Sequence, residues 1–305
     1  FLNSGSEASD LAIRLAFAHT KSNKIMVIEN GYHGHTQRGI DISDYKFNAE
    51  NGQGKKDYIL KLPMPNIYNG KYTKNDGSAG KMYANDAIKE MKNSGSSVAG
   101  FICEPILGCA GQVCLPKGYL KSVYSAVRDQ GGVCISDEVQ TGFGRLGEAF
   151  WGFQIHDVVP DIVVIGKPMA NGHPIGAVIT TNKIAESFNN GVEFFSSFGG
   201  NPISCAIGLS VLEVIEEEDL QKNAKDVGEY YISLLKKLQE KHKCIGDVRG
   251  RGLFIGIEIV KDNTTSPNKT LANKIKNELR ENNILVGTDG PNGNVLKTKP
   301  PLCFN

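Results

Sequence analysis

Four aliphatic residues in a row, Ile162 to Ile165, run straight into Gly166, Lys167 and Pro168. An unbroken aliphatic run of this length reads as a strand buried on both faces, the kind found in parallel sheets covered by helices. The glycine turns the chain, and the proline keeps the strand from continuing. Lys167 therefore stands just past the carboxyl end of a buried strand, where open α/β sheets bind their ligands. A lone lysine in such a turn is ordinarily a solvated side chain. What sets this one apart is its company.

Comparable runs recur along the chain. Ile25 to Ile28 leads to Tyr32, His33 and Gly34, the run from Val98 delivers Glu104, and Gly132 to Ser136 delivers Asp137, Val139 and Gln140. Helical patterns at 8–18, 83–92 and 118–130 lie between them. This alternation predicts an α/β fold with a mostly parallel sheet flanked by helices, and Glu104, Asp137, Gln140 and Lys167 along one sheet edge. Ser4, Gly5, Ser6 and Glu7 mark a capped helix start whose free N–H groups and positive dipole end suit a phosphate. Residues 41–80 are polar, lack periodicity and read as an irregular excursion.

Further on, a glycine loop from Phe195 to Pro202 opens a helix reaching about Glu216, and a second long helix ends near His242. Asp247 to Val260 reads as one glycine-kinked strand, followed by a charged helix (271–281) and strands at 284–286 and 294–297. The predicted division is a large domain over 1–218 and a smaller C-terminal α+β domain over 219–305. Both ends read as cut edges of a longer chain, so that targeting is not legible.

Composition narrows the function classes. A formal net charge of +1 over 305 residues gives no reason to expect nucleic acid or an anionic membrane surface as partner. No apolar run approaches the length of a membrane span. The seven cysteines include no CxxC pair and read as reduced thiols of a cytoplasmic protein. Cys103, Cys109 and Cys114 fit no usual zinc spacing, and no metal is expected. The absence of GxGxxG between a strand and a helix disfavours a nucleotide-binding dehydrogenase.

A lysine beside an aspartate, with a phosphate cradle and an aromatic able to cover a flat ring, is what pyridoxal 5'-phosphate (PLP) needs. The segments SGSEASDLAIRLA, GYHGHT, ISDEVQTGFGR, IGKPMANGHPIG, FGGNP and VRGRGLFIG, in this order along the chain, resemble the class III (ω-) aminotransferases of the fold-type I PLP enzymes. The resemblance implies that Lys167 is the Schiff-base lysine and general acid/base, and that Asp137 partners the pyridine nitrogen. It sets Gln140 near the ring hydroxyl, Gly5 and Ser6 at the phosphate, and Tyr32 and Val139 on the two ring faces. His33 falls among the cofactor-binding residues and Glu104 is an active-site glutamate. Ser197 matches a phosphate contact reaching in from a neighbouring subunit, which implies a homodimer with a shared active site.

Two departures bear on the reaction. Transaminases of this family usually carry an arginine for the substrate carboxylate where this chain has Lys297, and a glutamate that gates it where this chain has Cys109. A lysine cannot form the planar two-pronged clasp of a guanidinium. The segments ISDYKF and DGPNGNVLKTKPPLCF resemble the ethanolamine-phosphate and phosphohydroxylysine phospholyase branch, in which Lys297 or Lys299 would meet a substrate phosphate. The expected activity is phospholyase-type elimination of phosphate from a phosphorylated primary amine. The alternatives are transamination of an amine or ω-amino acid to a 2-oxo acid, and an incomplete piece serving only as a binding surface.

Overall fold

The structure is a computed structural model describing residues 1–73 and 76–305. Its central sheet has six strands in the order β2-β1-β3-β6-β7-β8. These are β1 (Lys24–Ile28), β2 (Ile59–Leu62), β3 (Val98–Cys103), β6 (Val133–Asp137), β7 (Ile162–Ile165) and β8 (Ala177–Thr180). The first five in that order pair in parallel; only β8 runs antiparallel, against β7. The sheet is mostly parallel, as expected.

Successive side chains in a strand point to opposite faces, and here both faces are apolar. Met26 and Ile28 of β1 join Phe101 of β3 on one face, where α4 (Ser78–Asn93) and α5 (Tyr119–Asp129) bring Tyr83, Met91, Tyr119 and Tyr124. Ile25 and Val27 join Ile102, Ile135 and Val164 on the other face, covered by Ala12, Ile13 and Ala16 of α1 (Gly5–Thr20). Every residue of β3 and β6 is buried, which is why their sequences show no polar alternation.

The stretch 41–80 is more ordered than its composition suggests. After the short helix α2 (Gln37–Asp41), it holds α3 (Asp44–Phe47), all of β2 and the start of α4, with residues 74 and 75 outside the described set. Strand β2 escapes notice because it is an edge strand of four residues, Ile-Leu-Lys-Leu, in a polar setting. A small antiparallel hairpin, β4 (Ile106–Leu107) with β5 (Val113–Cys114), follows Glu104 and was likewise not foreseen.

Past β8, α6 (Asn182–Phe188), α7 (Pro202–Glu217) and α8 (Leu220–Lys241) lead to an antiparallel sheet of order β11-β12-β10-β9. Asp247 to Val260 is not one kinked strand but a hairpin of β9 (Ile245–Arg251) and β10 (Phe254–Ile259). The chain reverses at Gly252, whose φ of +51° lies in the left-handed region. The strand expected at 284–286 is also corrected: β11 spans Gly287–Asp289, and Leu285 is 86% exposed. β12 (Val295–Thr298) falls one residue from its expected place, and α9 (Lys269–Glu281) packs Ala272 into the apolar cluster on this sheet. No helix among the described residues is long and apolar enough to cross a membrane.

Helix α8 leans on the hairpin turn through Gly228. A Cβ there would lie 2.2 Å from the Gly252 carbonyl oxygen, which is backbone and cannot rotate away. Replacing a helical glycine by alanine normally gains about 1 kcal/mol of helix propensity, whereas overpacking costs about 1–3 kcal/mol. Gly228→Ala is therefore expected to lower stability despite the better helix former, read as an earlier midpoint in urea. An unchanged or later midpoint would show that α8 does not press on this turn.

Candidate active site

Because β1, β3, β6 and β7 run the same way, their carboxyl ends meet at one edge of the sheet. The segments that follow them bring Tyr32, Glu104, Asp137, Val139, Gln140 and Lys167 around one cleft of about 530 Å³, closed on another side by Gly5 and Ser6 of α1. That volume lies within the range of small-molecule sites.

Asp137 is the last residue of β6 and is buried. One carboxylate oxygen accepts from His33 Nδ1 at 2.7 Å, the other from the Val139 N–H at 3.1 Å. His33 is buried as well, and its own N–H donates to Ser43 Oγ at 2.7 Å. It thus stands against Asp137, and holds that carboxylate in one orientation.

Glu104 follows β3 and is also buried. It accepts from the Tyr32 N–H (3.3 Å), the Gly108 N–H (3.1 Å) and Gln140 Nε2 (3.3 Å). Burial, with the charge of Asp137 second, pushes its carboxyl up to about 7. Such a group can hold or release a proton near neutrality. Tyr32 meets Tyr45 edge-on at 5.9 Å between ring centres, and burial raises its phenol.

Lys167 occupies φ +31°, a region that a residue with a Cβ rarely enters. Positions of this kind cost about 1–3 kcal/mol and gather at functional sites. The neighbouring backbone is pressed close: a Cβ on Gly166 would lie 2.9 Å from the Gly5 nitrogen, and one on Gly5 would lie 2.8 Å from Val139 Cγ2. Glycine at both places lets β7, α1 and the segment after β6 meet at the floor of the cleft.

The start of α1 meets the needs of an anionic group. Ser4 Oγ caps Glu7 N–H at 3.2 Å and the Ser4 carbonyl accepts from Ala8, while the Gly5 and Ser6 N–H groups have no partner among the described residues. Ser9 Oγ, buried in the cleft wall, is likewise unpartnered. Two open amides at the positive end of a 16-residue helix fit a phosphate, and Asp137, Lys167 and Tyr32 fit the remainder of PLP.

Other expected residues lie outside the cleft lining. Lys297 Nζ pairs with Asp289 at 2.9 Å. Ser197 is exposed on the loop before α7; its neighbour Ser196 accepts from Asn3 Nδ2 at 3.3 Å, which ties that loop to the cleft rim. Cys109 is half-buried, and burial pushes its thiol up to about 12. Lys299 donates to Gln140 Oε1 at 2.6 Å. Among the cleft residues not foreseen are Ser9 and His173, the latter bonded to Ser204 Oγ at 2.8 Å. His173 stands in the same glycine- and proline-rich stretch as Lys167, and that placement was its only signal.

The family model for class III aminotransferases matches residues 1–305. The chain belongs to the class III aminotransferases. Its relatives within the class include an alanine–glyoxylate aminotransferase 2-like protein of Drosophila melanogaster, 48% identical over all of this chain and 64% of the relative. An ethanolamine-phosphate phospho-lyase homologue of Caenorhabditis elegans is 43% identical over all of this chain and 69% of the relative. Among solved structures, a phospholyase from Arthrobacter in complex with phosphoethanolamine superposes with a TM-score of 0.92 at 37% identity, over all of this chain and 72% of that one. The likeness extends across both sheets, so the fold is that of the fold-type I transferases. The chain spans between 62% and 69% of the length of the curated class III relatives it matches.

The raised carboxyl of Glu104 has a consequence for stability. With its folded value near 7 and its unfolded value near the ordinary carboxylate range, the folded chain holds a proton there that the unfolded chain has lost. Its favourable contribution is present at low pH and disappears as pH rises through about 7. Relative to the unsubstituted protein, Glu104→Gln should therefore melt higher at pH 8 than at pH 5. A melting difference between the two proteins that is the same at both pH values would refute the assignment.

Proposed function

We propose that the protein is a PLP-dependent phospholyase acting on a small phosphorylated primary amine. The observation that carries this reading is the Lys297–Asp289 pair. At the position where the resemblance leads one to expect a carboxylate-clasping arginine, this chain has a lysine whose charge is already engaged by a buried aspartate. The phosphoethanolamine complex of the similar phospholyase supports the same substrate class.

PLP, when bound, supplies an aldehyde that condenses with amines and a ring that draws electron density from the adjacent carbon. Lys167 would join the aldehyde in the resting protein and then carry the proton from the carbon next to the substrate nitrogen. Asp137, fixed by His33 and the Val139 N–H, would hold a proton on the ring nitrogen. The Gly5 and Ser6 amides would hold the cofactor phosphate, Tyr32 and Val139 would cover the ring faces, and Gln140 would stand near the ring hydroxyl. Glu104 is poised to exchange a proton near neutrality. In the net reaction one proton leaves that carbon, the C–O bond on the next carbon breaks with its electron pair going to phosphate, that next carbon takes up a proton in its place, phosphate leaves as its monohydrogen form, and water adds to release ammonia and an aldehyde.

The second reading is transamination, favoured by relatives named as alanine–glyoxylate aminotransferases. In either reading we propose a homodimer in which Ser197 serves the cleft of the second copy. Phe195, Phe198, Ile203 and Leu209 lie exposed on and beside the loop that carries it, an apolar surface suited to a partner.

Phosphoethanolamine supplied to the PLP-loaded protein without any 2-oxo acid should give sustained release of inorganic phosphate and an aldehyde. Lys167→Ala should reduce that release by about 10²–10⁴-fold. Silence with phosphoethanolamine, alongside turnover of an amine with pyruvate, would replace the lyase reading with transamination.

A further inference from the structure

We propose that Lys299 is a positioning residue for the cleft: its ammonium fixes the side-chain amide of Gln140 with the carbonyl turned away and the NH₂ turned toward Glu104. The inference rests on reading the cleft as a PLP site and adds a residue to it.

An amide has an acceptor at one end and donors at the other. Gln140 Oε1 lies 2.6 Å from Lys299 Nζ, and Gln140 Nε2 lies 3.3 Å from Glu104 Oε2. Turned over, the amide would set its N–H groups against an ammonium that can only donate. Glu104 alone would not forbid that turn. Its carboxyl, held up near neutrality by burial, can accept from an N–H when ionised and donate to a carbonyl when protonated. Lys299 offers only donors while charged, so it decides which end of Gln140 faces the cleft.

Lys299 is itself held on several sides. It follows β12 directly and precedes Pro300, which restricts its backbone to extended conformations. The Pro300 carbonyl accepts from Arg145, which also holds the Leu253 carbonyl at 3.3 Å. The ammonium lies 4.9 Å from the centre of the buried Phe254 ring. Lys297 and Lys167 face it with like charge, Asp289 with opposite charge, and the Cys109 thiol lies near. Burial first, then Lys297, lowers its amine to about 8. Gln140, after β6, thus takes its orientation from the strand end of the other sheet.

The test is the dissociation constant for PLP, titrated into the apo protein by absorbance. Lys299→Met should raise it about tenfold, and Lys299→Arg, which keeps a charged donor, should stay within threefold of the unsubstituted protein. Gln140→Leu should raise it similarly, and the double variant Lys299→Met/Gln140→Leu should be no worse than Gln140→Leu alone. The Lys299→Arg protein should also lose the weakening of PLP binding that the unsubstituted protein develops as pH rises through about 8. Melting of each apo protein identifies any variant that does not fold, and Lys299→Gln then takes the place of Lys299→Met. A constant for Lys299→Met within twofold of the unsubstituted value overturns the proposal, as does a double variant whose loss is the product of the two single losses. An unsubstituted protein that binds no PLP would overturn the proposed function and this inference together; unchanged binding in Lys299→Met overturns this inference alone.

Discussion

Parallel pairing of β1, β3, β6 and β7 is the constraint on which the rest of the structure depends. Parallel neighbours cannot be joined by a tight turn, so each strand is followed by a crossover and each emerges at the same edge. Residues scattered from 32 to 167 in sequence are thereby gathered into one cleft, at or just past the ends of these strands. Had any of these strands been reversed, its chemical residue would lie at the opposite edge of the sheet. The apolar runs that force burial on both faces are, for this reason, also what assembles the cleft.

Gathering strand ends brings an electrostatic cost. Asp137 and Glu104 are both buried near one another, and burying two like charges without compensation is expensive. The fold resolves this unequally. Asp137 receives His33 at 2.7 Å and a backbone N–H, whereas Glu104 receives two backbone N–H groups and an amide, and its carboxyl drifts up to about 7. Glu104, one residue past β3, thus carries a carboxyl able to exchange a proton near neutrality.

Much of this was legible because burial writes itself into sequence. The strands ending at Ile28, Cys103, Asp137 and Ile165 are apolar without alternation, and the residues after them are the ones that meet in the cleft. What escaped was decided by pairing, which no single segment contains. Strand β2 exists because β1 offers it an edge, and nothing in Ile-Leu-Lys-Leu distinguishes it from a loop. The hairpin of β9 and β10 read as one strand because Arg251-Gly252-Leu253 lacks the usual two-residue turn signal; its reversal depends on a glycine fitting against Leu146. The apolar trio 284–286 misled in the opposite direction, since aliphatic residues on a surface need no strand. Within the site, the fixed orientation of Asp137 depends on His33, a contact across 104 residues that no local pattern announces.

The same long-range logic bears on Lys297. Asp289 is 7% exposed at its side chain and is met by Lys297 at 2.9 Å and by Gln112 Nε2 at 3.3 Å. Drawing the ammonium away to meet a substrate carboxylate would leave that aspartate with Gln112 as its hydrogen-bond partner and the more distant Lys299 as the facing cation. Removing one partner of a fully buried pair costs about 3–5 kcal/mol, and the 31% exposure of the Lys297 side chain reduces this without abolishing it. A carboxylate would have to repay that loss with one point-charge contact, because lysine cannot offer the two parallel bonds of an arginine. A substrate without a carboxylate asks for no such exchange. The aspartate beside Lys297 thus sets the cost that any carboxylate drawn to that ammonium would have to repay.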